Sequence, residues 1–309
     1  MPPLEVVSLS VSDRRGTRKS AVEQVTVDAR GIVGDAHAGP WHRQVSVLAR
    51  ESVALFEADT GRRFRPGELA ENMVLDGAGI RGAGLLDRFH IGSVRLEVAQ
   101  IGKPGGEHSP IFRQLGRNLL AEEGLFCRVL SGGTVRRGDT GEYLPRTLDV
   151  RVITLSDRAA AGQYEDRAGP RVAEIVREFF AGRPWRIEIA TTLLPDDPQR
   201  LRAELTAARD AGADVVFTTG GTGVGPRDRT PEVVGEFCDR LIPGIMEHIR
   251  VKFGQRKPNA LLSRSVAGLA GTMQVYALPG SVRAVEEYTG EILKTLEHAI
   301  LMAHGINAH

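Results

Sequence analysis

Cysteine is nearly absent: the 309 residues hold two, Cys127 and Cys238, far apart and in no CxxC pair. A disulfide scaffold and a thiolate zinc site are excluded, and a reducing compartment is expected. No apolar run approaches the ~18 residues that span a bilayer, and the start MPPLEVVSLSVSDRR lacks a signal peptide's basic-then-apolar order. A cytoplasmic protein without membrane contact is expected. Charge of one sign is missing as well. Forty Lys+Arg against 39 Asp+Glu leave a formal charge of +1, so nothing global favours a nucleic acid as partner. Lysine is scarce: only Lys19, Lys103, Lys252, Lys257 and Lys294 are not Arg among the 40 basic residues. A GC-rich genome explains that bias more simply than bidentate recognition of anionic oxygens does.

What is present divides in two. At roughly 100–200 residues per domain the length suggests two domains. The turn-rich Gly138–Arg146, followed by the alternating Val150–Leu155, places the linker near residue 147, giving domains 1–147 and 148–309. The first half offers short β segments with Gly at most joints: Leu4–Ser10, Glu23–Val27, Gln44–Leu48, Met73–Leu75, Arg88–Ile91, Val94–Ile101 and Cys127–Leu130. That spacing predicts a mainly β domain, a barrel with a few helices, the clearest at Arg50–Gly61. The second half alternates strands with helices, at Val150–Leu155, Pro170–Phe180, Arg186–Leu193, a helix opening at Asp197-Pro198, Asp214–Thr218, a helix opening at Thr230-Pro231, Met273–Leu278 and Val282–His304. Alternation of this kind predicts an α/β three-layer domain with a mostly parallel sheet covered on both faces. Ser12-Asp-Arg14 and Ser156-Asp-Arg158 both follow alternating strands, but their flanks diverge and no repeat is inferred.

Ligands of such sheets bind where strands end. The loop after the third strand reads Thr218-Thr-Gly-Gly-Thr-Gly-Val-Gly-Pro-Arg-Asp-Arg-Thr-Pro-Glu232. Glycines there let backbone amides converge on an anion. It is no P-loop, since no Lys-Ser/Thr follows, and its spacing is wrong for a dinucleotide GxGxxG. A carboxylate beside a phosphate cradle calls for a cation between them, which makes Asp228 the first candidate for a Mg²⁺ ligand; a surface Asp paired with Arg227 and Arg229 is the competing reading. Asp157, Asp196 and Ser281 follow other strand ends and could line the same crevice, although each alone would serve as a cap or turn residue.

Val152–Arg158, Leu194-Pro-Asp196, Thr218–Gly223 with Pro226-Arg-Asp228 and Thr230-Pro-Glu232, Pro243–Glu247, Leu262-Ser-Arg264 and Leu278–Ser281 occur in an order and spacing that resemble the bacterial molybdopterin adenylyltransferases and their molybdopterin-binding relatives. The resemblance covers about residues 149–304. It implies a usually trimeric α/β fold that binds molybdopterin and Mg-ATP as substrates and transfers AMP to the pterin's terminal phosphate. By the same resemblance Asp228 and Asp196 are the catalytic, metal-binding carboxylates, and Thr219, Gly220, Gly221, Thr222 and Gly223 form the phosphate loop. Asp157, Glu247 and Ser281 fall at pocket-lining positions. The residues agree with that chemistry, because attack by a phosphate oxygen on α-phosphorus needs charge neutralisation and in-line positioning. No nucleophile signature is present; Ser263 has no base argued for it.

In the first half Gly31–Val47 gathers Asp35, His37 and His42 around glycines, a set that could ligate a metal but whose irregular spacing suits a structural or anion-binding role better. With Pro66–Met73, Ile91–Val98, Ile101–Pro104, Gly124–Gly133 and Gly138-Asp139, this half resembles a MOSC domain, the module at the end of molybdenum cofactor sulfurases, over about residues 4–144. Related chains carry two cysteines where Gly105 and Ser109 stand here, so persulfide chemistry is not expected. Cys127 reads as a core residue, and Arg43, Lys103 and Arg128 as candidates for holding a pterin or cofactor. The leading expectation is a fused enzyme of molybdenum cofactor biosynthesis, a homotrimer that meets other proteins of that synthesis. The alternatives are a non-catalytic cofactor-binding and delivery protein and, last, sulfur transfer through Cys127.

Overall fold

The computed structural model describes residues 2–104 and 110–307. The chain forms two compact units, one running to Arg146 with Ile306 added and the other Thr147–Gly305.

In the first unit seven strands close on themselves. Their ring order is Pro3–Val11, Thr140–Leu144, Arg88–Ile91, Val94–Ile101, Leu125–Ser131, Val45–Ala49 and Met73–Asp76, which pairs back to Pro3–Val11. Closure removes the exposed edges that open sheets must protect. Inward residues such as Val6, Val47, Met73, Phe89, Leu96 and Cys127 form its core. All ring pairings are antiparallel except that between Val45–Ala49 and Met73–Asp76. A parallel neighbour needs a crossover, and the helix Arg50–Thr60 lies within it, ending at Gly61 in the left-handed region (φ 65°). The barrel expectation therefore holds, with one correction. The stretch read as linker contains Thr140–Leu144, the strand that shuts the ring.

Beneath one end of this barrel lies a buried ion pair, Lys19 Nζ to Asp35 Oδ2 at 2.6 Å. Burial alone would raise the Asp35 carboxyl, but hydrogen bonds from His37 and Lys19 and the charge of Lys19 hold it well below the usual range. Close by, Glu71 is buried; Oε1 accepts from Gly67 N at 2.6 Å and Oε2 has no hydrogen-bond partner. Burial pushes its carboxyl up to about 7, against the pull of backbone donors and Lys19.

The second unit is built on a six-stranded sheet in the order Arg186–Leu194, Thr147–Leu155, Val215–Thr219, Met273–Leu278, Ala267–Ala270, Arg240–Leu241. The first four strands run parallel, Ala267–Ala270 runs against them, and Arg240–Leu241 pairs antiparallel to Ala267–Ala270. The sheet is thus mixed rather than mostly parallel. The cause is local: Ala270 pairs with Met273 across two residues, with Gly271 at φ 63°, a hairpin too short for a crossover. Helix Pro243–Gly254 is likewise absent from the sequence expectation. On one face Ile153, Val216, Val275 and Ala277 pack with Leu201, Leu205, Val233 and Val234 of helices Pro198–Asp210 and Thr230–Phe237. On the opposite face Phe217 stacks on Tyr276 at 5.4 Å, and helices Ala168–Phe180 and Val282–Ala303 pack together there.

Parallel direction brings the carboxyl ends of four strands to one edge. They crowd so closely there that a Cβ on Gly220 would lie 2.2 Å from the Leu155 carbonyl oxygen, and its φ of 104° suits only glycine.

Two stability measurements follow. An unfolded Glu titrates near 4.5 and the folded Glu71 near 7, so between these values the folded chain binds the extra proton and stability falls as pH rises, by on the order of 3 kcal/mol in all. Glu71→Gln keeps the acceptor for Gly67 and removes the slope: urea denaturation should find it more stable than wild type at pH 8, with the gain shrinking toward pH 4.5. Second, Gly220→Ala should cost at least about 3 kcal/mol. Gly290→Ala, at an open helical site in Val282–Ala303, should stabilise by about 0.5–1 kcal/mol. Equal melting temperatures for the two variants would refute the packing argument.

Candidate active site

Gly220 N donates to Leu278 O at 3.0 Å, tying the loop to the end of the next strand. Gly280 follows that strand, and a Cβ on it would stand 3.2 Å from Gly220 Cα. Gly221 is left-handed (φ 62°), and Thr230 N donates to its carbonyl at 3.2 Å. The loop then folds around Asp228: Gly225 N donates to Oδ2 at 2.9 Å, and a Cβ on Gly223 or Gly225 would come within 2.7 or 2.8 Å of that oxygen.

Arg264 sets this loop in place. Its Nε donates to Gly223 O at 2.7 Å, its two terminal nitrogens donate to Asp228 O and Glu232 Oε1, and its backbone N reaches Thr222 O at 2.9 Å. The hydrogen bond from Arg264 holds the Glu232 carboxyl below its ordinary value. Ser281 caps the 22-residue helix Val282–Ala303, its side chain accepting from Ala284 N at 3.3 Å.

A cleft of about 540 Å³ is lined by Gly220, Gly221, Thr222, Gly223, Asp228 and Ser281. Six of the residues expected from sequence thus meet. Thr219 is fully buried behind them. Asp196 lines a separate narrow recess with Gly221, Arg227 and Thr230. It exchanges hydrogen bonds with Asp157: Asp196 N donates to Asp157 Oδ1 at 2.9 Å and Asp157 N to Asp196 Oδ2 at 3.1 Å. Arg227 closes on Asp157 Oδ2 at 2.8 Å. Asp157 therefore braces two strand ends outside the cleft. Glu247 is exposed on helix Pro243–Gly254 and lines no part of the cleft.

Four further lining residues carry chemistry that sequence reasoning passed over: Lys257, Asn259, Arg283 and Tyr288. The Tyr288 hydroxyl is buried with no hydrogen-bond partner. A polar residue recurring on the first turns of a helix that follows Pro-Gly-Ser was the available signal. Ser263 also lines the cleft and bonds to Ser265 at 2.8 Å.

In the first unit the Asp35, His37 and His42 set is not a metal centre. Asp35 is tied to Lys19, Asn72 and His37, while His42 Nε2 meets Gln100 at 2.9 Å. Arg128 pairs with Glu97 at 2.6 Å. Arg43 and Lys103 share a cleft. Cys127 is buried in the barrel, where burial first and Glu97 second push its thiol far up, so no thiolate is at hand for sulfur transfer. Gly105 and Ser109 lie outside the described residues. No described helix is long and apolar enough to cross a membrane.

Comparison with known proteins agrees with the division of the chain. Residues 151–298 match the family model described as "Probable molybdopterin binding domain", and residues 34–142 match the MOSC domain. The molybdenum cofactor biosynthesis bifunctional protein of Synechococcus elongatus is 37% identical over 154 residues, 50% of this chain and 47% of that one. The chain spans about half or less of the length of the first such relatives. The molybdopterin adenylyltransferase of Helicobacter pylori strain J99 is 30% identical over 50% of this chain and 87% of its own. That of Escherichia coli K12 is 33% identical over 52% and 81%. The solved structure of the molybdopterin biosynthesis Mog protein from Mycobacterium ulcerans matches 50% of this chain and 99% of its own at 31% identity, with a TM-score of 0.46. Through its second unit the chain belongs to the molybdopterin-binding family that includes the molybdopterin adenylyltransferases, and its first unit carries a MOSC domain.

Proposed function

We propose that the second unit transfers AMP from Mg-ATP to the terminal phosphate of molybdopterin in molybdenum cofactor biosynthesis, and that the MOSC unit holds the product or hands it on. Assembly as a homotrimer belongs to the same reading. One observation carries it: the loop Gly220–Gly223, the carboxylate of Asp228 and the capped start of helix Val282–Ala303 line a single cleft.

Loop glycines leave backbone N–H groups open to phosphate oxygens, and a helix N-terminus favours an anion. Lys257 adds positive charge at the same cleft, where Arg283 is paired with Glu287 at 2.9 Å. In the reaction a terminal phosphate oxygen of the pterin forms the new bond to the α-phosphorus, the bridging α–β bond breaks, and pyrophosphate leaves. Positioning and charge neutralisation supply the acceleration, and no protein nucleophile is required. Asp228 and Asp196 are the side chains that would hold Mg²⁺. Asp228 faces the cleft and Asp196 the adjoining recess across Gly221, so each would supply one carboxylate at most to an ion that takes most of its ligands from water and phosphate; among the described residues no group of three or more His, Cys, Asp or Glu can hold a metal. When bound, Mg²⁺ would neutralise phosphate charge. Arg264 keeps the loop in the geometry the amides need.

The test is radiolabelled ATP with molybdopterin, followed for adenylylated pterin and pyrophosphate. Asp228→Asn keeps an acceptor for Gly225 N and should lower kcat by about 100-fold or more at an unchanged melting temperature. Wild-type protein that binds the pterin tightly yet consumes no ATP would replace this reading with that of a binding and delivery protein.

A further inference from the structure

The barrel unit contains a second cleft, of about 310 Å³, whose lining among the described residues includes Arg15, Arg18, Arg43 and Lys103 but no Asp or Glu. Arg18 has a counter-charge in Glu68 at 3.4 Å. Among the described residues the other three have no carboxylate partner. Two of them share one aromatic ring: the guanidinium carbons of Arg15 and Arg43 stand 5.3 and 4.8 Å from the centroid of Trp41. Arg15 is fixed by donation from Nε to Ala36 O at 3.0 Å. Arg43 Nε is buried with no hydrogen-bond partner.

Like charges gathered in one cleft repel, and the partial burial of Arg43 and Lys103 removes water that would screen those two, while Arg15 is exposed. The Lys103 ammonium feels it, with burial first and Arg43 second lowering its pKa. The indole face offsets only part of the cost. The nearby acid gives no relief, because Asp35 is spent on Lys19, Asn72, His37 and Ser12 N. An arrangement that concentrates unpaired donors around a small concave space lacks one thing, an anion with several oxygens. Guanidinium forks match tetrahedral oxyanions in two-point hydrogen bonds, and the volume lies at the small end of ligand sites.

We propose that this cleft binds a doubly charged tetrahedral oxyanion, either free in solution or as the terminal group of a phosphomonoester. The proposal rests on the barrel's own residues and stands whether or not the second unit transfers AMP.

The chain's two tryptophans supply the readout. Trp41 lines the cleft, and Trp185 lies in the other unit, so Trp185→Phe leaves Trp41 as the reporter. Its fluorescence is titrated with inorganic phosphate, molybdate, glycerol 3-phosphate and, at matched ionic strength, chloride. Calorimetry on the unsubstituted full chain repeats the phosphate titration in case that variant folds poorly. A saturable response to at least one oxyanion, weakened tenfold or more by Arg43→Gln or Arg15→Gln and untouched by Asp228→Asn, is expected. Tighter binding of the monoester assigns the site to a phosphorylated small molecule, and tighter binding of phosphate or molybdate assigns it to the free anion. No saturable binding of any oxyanion, an equal response to chloride, or unchanged affinity in both arginine variants would overturn the proposal.

Discussion

Arg264 donates to oxygens from two points of one loop, Gly223 and Asp228, and from Glu232 on the helix that follows it, while its own amide reaches Thr222. Everything else in the candidate site depends on that fork. Fixing one residue's backbone costs about 1–2 kcal/mol, and the loop it spans includes Gly221, Gly223 and Gly225, residue types that lose the most freedom. Hydrogen bonds to a charged group contribute about 1.5–3 kcal/mol each, enough together to hold a segment that has no strand or helix of its own. The glycines cannot be exchanged for better-behaved residues, because Asp228 occupies the space where side chains on Gly223 and Gly225 would be, and the Thr230 hydroxyl does so for Gly221. Rigidity therefore comes from a distant arginine rather than from the loop's own sequence.

A similar economy governs the neighbouring acids. Asp157 and Asp196 would repel each other as bare carboxylates, yet each accepts the other's backbone amide and Arg227 closes the outer side. The pair locks the ends of two parallel strands. It also leaves Asp196 in its own recess, with Gly221 as the residue common to that recess and the main cleft. A hypothetical Cβ on Gly221 would sit 3.8 Å from Asp196 Oδ1, so the absence of a side chain there is what keeps the two spaces adjacent.

Periodicity and punctuation in the sequence led to the alternating strands and helices of the second unit, because Pro at helix starts and alternating apolar runs are local signals. Its antiparallel edge was not legible: Ala267–Ala270 and Arg240–Leu241 are too short to show a period, and the first is defined by its pairing across Gly271, the second by pairing with the first. Closure of the barrel escaped for a related reason. Thr140–Leu144 carries Gly, Glu and Thr, and its strand character comes from pairing with Pro3–Val11 on one side and Arg88–Ile91 on the other. The glycine loop, Asp228 and Ser281 were found together because they sit at strand ends in a row. Arg264 appeared only as part of a motif; its role depends on contacts 32 to 41 residues away. Glu247, a position carried over from a resemblance, stands on an exposed helical face apart from the cleft.

The near-zero net charge hides two local solutions to the same problem. In the second unit anion-binding capacity resides in backbone amides and a helix terminus, partial charges that add nothing to the formal count. In the barrel unit it would reside in Arg15, Arg43 and Lys103, full charges that stand over aromatic rings, the two arginines over Trp41 and the lysine over Phe126. Screening separates the two. Dipoles act within a few ångströms and lose little to dissolved ions, whereas a cluster of monopoles projects a field that salt at 0.1 M cuts within about 10 Å. The barrel cleft is thus suited to drawing a small anion from solution, and the glycine loop to fixing one already in contact.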